Sequence, residues 1–66
     1  MKEVSAKDFF RLCSGAKRVG IENVEGAYGW ESTVFEYRGV SGDVLYKIET
    51  RPPKSNSVIT TRFFRG

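Results

Sequence analysis

Two runs of alternating residues, Thr33 to Gly39 and Val44 to Thr50, flank Ser41-Gly42, and no other feature so limits what this chain can fold into. In the first run Thr33, Phe35 and Tyr37 share one face, opposite Val34, Glu36 and Arg38. In the second, Val44, Tyr46, Ile48 and Thr50 lie opposite Leu45, Lys47, Glu49 and Arg51. A period of two marks a half-buried strand. With Ser41-Gly42 as a two-residue hairpin loop, Tyr37 faces Tyr46, Phe35 faces Ile48 and Glu36 faces Lys47. Apolar then meets apolar and acid meets base, the pairing that stabilises antiparallel strands.

The flanking segments supply a helix and further strands. Ser5 followed by Asp8 is an S-x-x-D helix start, and Gly15 or Gly20 offers a stop. Ala6, Phe9, Phe10, Leu12, Cys13 and Ala16 make one apolar stripe, which predicts a short amphipathic helix over residues 5–16. Residues 18–25 read as a weaker first strand, and Glu25 to Glu31 as a loop with Gly26 and Gly29 inside it. Pro52-Pro53-Lys54-Ser55-Asn56 is a turn, since two prolines do not sit in a central strand. Ser57 to Phe64 reads as the last strand, with Ile59, Thr61 and Phe63 inward because the alternative would bury Arg62. The expected fold is α+β: a short N-terminal amphipathic helix, then a three- to four-stranded antiparallel β-meander, as one small domain over residues 1–66.

One helix covers only one face of such a sheet. The other face then collects Val34, Leu45, Val58 and Phe64 beside Glu36, Arg38, Lys47, Glu49, Arg51 and Arg62. That mixture is too apolar for ordinary surface and too charged for a second core, and such surfaces mark interfaces.

Composition narrows the chemistry. With 66 residues the chain sits near the lower limit for folding alone, where a core supplies only about 3–5 kcal/mol. Cys13 is the sole cysteine and there is no histidine, so no internal disulfide, no zinc-type ligand spacing and no usual base for a Ser or Cys nucleophile is present. Catalytic residues, metal ligands and cofactors are therefore not expected. Neither an apolar run of membrane-spanning length nor a signal-peptide core follows Lys2, which leads to the expectation of a cytoplasmic chain that does not engage membranes.

The net charge of +3 is segregated: residues 1–18 and 38–66 are basic, while residues 19–37 hold Glu22, Glu25, Glu31 and Glu36 with no base. Two binding functions follow. The first is a small non-catalytic inhibitor or adaptor that acts by stoichiometric association with another protein, a size common among phage and mobile-element products. Its contacts would be Tyr28 and Trp30 on the loop with Leu45, Val58 and Phe64 on the sheet, because aromatic residues dominate interface hot spots. The alternative is a basic nucleic-acid binder using Arg38, Lys47, Arg51, Lys54 and Arg62 on the free face. Glu36 and Glu49 oppose it by sharing that face. Homodimerisation fits either reading, because self-association would cover the free face.

Overall fold

A computed structural model describes residues 1–66. It has one short helix and five strands: β1 (Lys2–Val4), α1 (Ala6–Leu12), β2 (Lys17–Glu25), β3 (Glu31–Arg38), β4 (Val44–Arg51) and β5 (Thr60–Arg65). The strands form one antiparallel sheet in the order β1-β5-β4-β3-β2. The fold is thus the expected α+β meander, with five strands rather than three or four. Residues 2–4, too short to show a period, add the fifth by pairing outside β5.

The helix starts where the sequence places it. Ser5 is the N-cap, and its hydroxyl accepts a hydrogen bond from the Asp8 amide at 3.1 Å. It ends earlier than expected, at Leu12, because the chain turns through Gly15 at φ +76°. Seven residues do not hold a helix in water, so packing must hold this one. Phe9 provides it, with ring centroids 4.6 Å from Phe63 on β5 and 5.8 Å from Tyr37 on β3. Leu45, opposite Tyr37 on the same side of the sheet, is 0% exposed, and Phe9 is 2% exposed. These are the only buried apolar residues, although Phe10, in the same helical stripe, remains 64% exposed.

The register of the central hairpin differs from the expected one. Tyr37 lies opposite Leu45, Phe35 opposite Lys47, and Glu36 opposite Tyr46. The loop is the reason. Gly39 N donates to Asp43 O at 2.8 Å, Gly42 N donates to Gly39 O at 3.0 Å, and Gly42 sits at φ +87°. This is a three-residue loop, Val40-Ser41-Gly42, in which a turn is followed by a left-handed glycine. One extra loop residue moves the pairing by one and carries every β4 side chain to the other side relative to β3.

One further expectation is corrected, and that of a first strand over residues 18–25 is met. The last strand begins at Thr60, so Val58 and Ile59 lie in the connection from β4 and are exposed. Residues 17–25 form a full edge strand, with an irregularity between Arg18 and Gly20 that bulges out Val19.

Candidate functional site

The two sides of the sheet are now defined. The helix side carries Asn23, Thr33, Phe35, Tyr37, Leu45, Lys47, Glu49, Arg51 and Phe63. Where α1 ends, long polar side chains continue the cover. Arg51 Nη2 donates to Thr33 Oγ1 at 2.7 Å, Thr33 donates to Asn23 Oδ1 at 2.8 Å, and Glu31 lies 3.9 Å from Arg51. Thr33 is buried by this arrangement with its hydroxyl fully partnered. Lys47 sits 4.6 Å from the Phe35 ring centroid and 3.5 Å from Glu49.

The open side has no second layer. Val34 pairs with Ile48, and Tyr46 pairs with Phe64, which gives a half-buried apolar block across β3, β4 and β5. Ser32 and Thr50 join their hydroxyls at 3.2 Å at one end. At the β5 edge Arg62 grips Glu3 with two hydrogen bonds of 3.0 and 2.8 Å, and its guanidinium stands 5.2 Å from the Phe64 ring. Toward β2 the face dips over Gly20 into a concavity of about 200 Å³ walled by Glu22, Val34, Glu36 and Tyr46.

The grip on Glu3 has a titration consequence. Its carboxyl is held below the ordinary range, first by the hydrogen bonds from Arg62; desolvation opposes them, and that cation's charge adds a lesser lowering. A lowered folded-state pKa stabilises above the unfolded value and loses that contribution as the pH falls through the lowered one. Acidification through that point is therefore expected to loosen β1 ahead of the meander. Amide resonances of Lys2–Val4, followed by NMR through an acid titration, check this. If they shift no earlier than those of β3 and β4, the pair does not tether β1.

The expected contact residues are dispersed. Phe64 lies in the open-side block, and Tyr28 is 94% exposed at the tip of the β2–β3 connection. Trp30 closes that connection, where its carbonyl accepts the Gly26 amide at 2.7 Å. Val58 stands outside the sheet. Leu45 is not a contact at all: the register shift buries it under the helix side. Conversely, Tyr46 and Ile48, expected inward, lie on the open side. The glycine two residues beyond Val40 was the one local signal for this register, and it also fits a two-residue turn.

The expected basic patch is divided. Arg38 and Arg62 are on the open side, Lys47 and Arg51 on the helix side, and Lys54 in the Pro52–Lys54 turn at φ +57°. Lys47, Arg51 and Arg62 each have a carboxylate beside them. Cys13 is half-buried just past α1, where burial pushes its thiol up while the Lys47 charge pulls it down. The net effect disfavours the thiolate, the reactive form.

The loop carries strain. Tyr28 holds φ 58° and ψ 28°, followed by Gly29 at φ +81°, whose missing side chain leaves room for Pro53. A left-handed non-glycine residue costs on the order of 1 kcal/mol. No helix is long and apolar enough to cross a membrane. Fold and surface together define a small open-faced α+β sheet protein. Comparison of the chain with protein-family models, curated proteins and solved structures gives no match.

Proposed function

We propose that this protein is a small stoichiometric protein-binding inhibitor or adaptor, with the open side of its sheet as the contact surface. The observation that carries the reading is the uncovered block of Val34, Tyr46, Ile48 and Phe64. A sheet of this size ordinarily buries both faces or keeps one polar, because exposed contiguous apolar surface costs free energy in water. The rim of Glu3, Glu22, Glu36, Arg38 and Arg62 suits a recognition surface, in which a desolvated centre gives affinity and charges at the edge give specificity. Tyr28, offered to solvent on strained backbone, is a second anchor of a residue type enriched in hot spots.

The nucleic-acid reading has less behind it, since its five cations do not form one surface. The test is capture by the immobilised chain from lysate, with Phe64→Glu and, at an exposed position of α1, Lys7→Ala in parallel. The reading expects a partner retained in fixed stoichiometry by the native chain, lost with Phe64→Glu and kept with Lys7→Ala. A partner held equally by both variants would remove the open side from the account. Capture of oligonucleotide alone, weakening steeply with salt, would favour phosphate contact instead.

A further inference from the structure

The edge strand β2 differs from β4 and β5 in its electrostatics. Every strand charge on β4 and β5 has an opposite partner: Lys47 with Glu49, Arg51 with Glu31, Arg62 with Glu3, and Arg65 with Asp43. None of the four charges of β2, Lys17, Arg18, Glu22 and Glu25, is in an ion pair. Its one neighbouring strand even supplies the wrong sign at both ends. Lys17 lies opposite Arg38, and Glu25 lies opposite Glu31. Like charges directly across a sheet are destabilising.

The order of those charges is the second observation. The cations occupy the first two positions of the nine-residue strand, and the carboxylates fall in its second half. Such a strand repels a parallel copy of itself and complements an antiparallel one. We infer that β2 is the interface of a two-fold symmetric homodimer, in which it pairs edge to edge and antiparallel with β2 of a second copy. An isologous contact of this kind needs a self-complementary patch, and sign-sorted charge provides it.

The geometry is specific. With Ile21 opposite Ile21 of the second copy, Gly20 lies opposite Glu22, and the bulge at Val19 shifts the pairing by one residue beyond it. Arg18 then lies diagonal to the copy's Glu25 on the helix side, and Lys17 diagonal to the copy's Glu22 on the open side. Diagonal positions on one face lie within reach of long side chains. The contact also engages the outward N–H and C=O groups of β2, which no strand of its own chain meets. Exposed Val19, Ile21 and Val24 gain cover in the same step. The product is a continuous ten-stranded sheet whose two open sides face the same way, and this interface shares only the rim residue Glu22 with the surface proposed above.

Sedimentation equilibrium on the intact chain tests the inference through charge exchange. The native chain is expected to show twice its 7.5 kDa mass as concentration rises. Lys17→Glu with Arg18→Glu should weaken self-association about tenfold or more, and so should Glu22→Lys with Glu25→Lys. All four changes together restore complementarity and should restore the dimer. The two doubly reversed chains mixed with each other should pair while each alone stays monomeric. All four positions are exposed, so circular dichroism should show the fold unchanged. A native chain that stays monomeric overturns the inference. So does a dimer indifferent to these reversals, or one whose β2 amides gain no protection from hydrogen exchange.

Discussion

Leu45→Ala is expected to leave most of the chain unfolded at room temperature. Leu45 is fully buried, on the central strand, opposite Tyr37 and on the side that Phe9 covers. A leucine-to-alanine change at such a site costs about 2–5 kcal/mol, part of it lost transfer energy and part an unfilled cavity. A core in a chain of this size supplies only about 3–5 kcal/mol in all. The loss therefore consumes most of the stability, where the same change in a larger protein would be absorbed. Urea titration followed by far-ultraviolet circular dichroism measures it. A midpoint close to the native one would show that Leu45 does not carry the core. If Leu45 faced a partner instead, the same variant would fold normally and lose only binding.

Phe9→Ala is expected to detach the helix and take much of the sheet's cooperativity with it. The seven residues of α1 have one buried side chain, and its ring meets Phe10, Tyr37 and Phe63 at 4.6–5.8 Å. Removing a buried phenylalanine costs about 3–5 kcal/mol, and the Ser5 cap, at about 1 kcal/mol, cannot retain the helix by itself. Loss of the helical amide protection, together with a sharply lowered melting temperature, is the expected signature. Phe10→Ala is the control, because Phe10 is largely exposed and should cost far less. Equal effects at both positions would mean that the two phenylalanines share the packing.

These two residues also show how legible the chain was. Phe9 could be placed in the core from sequence, because it sits in the helical stripe behind a sound cap and a period of 3.6 survives any tertiary arrangement. Leu45 could not. Apolar residues occur on both sides of β4, as Val44, Leu45, Tyr46 and Ile48, so periodicity does not decide which side faces inward. That choice passes to the loop. Ser41-Gly42 allows a two-residue turn, and Val40-Ser41-Gly42 a three-residue one with Gly42 left-handed. The difference is one residue of register, which moved Leu45 from a proposed contact to the core. Tyr46 and Ile48 moved the other way.

The candidate surface inherited the same ambiguity. Val34 and Phe64 lie on the side that alternation assigns them, because the phase of β3 and β5 is set within each strand. Lys47 and Arg51 do not, because they move with Leu45. Alternation, capping, glycine and proline positions and the sorted charges of β2 are local, and the chain by itself determined the helix start, the four meander strands and the sign pattern of the edge. Which side of β4 is buried, the pairing of residues 2–4 with β5, and the clasp of Glu3 by Arg62 from 59 positions away were decided only in the tertiary structure. Each of these depends on a loop geometry or a long-range contact whose alternatives differ little in local energy, and only the packing of the whole sheet separates them.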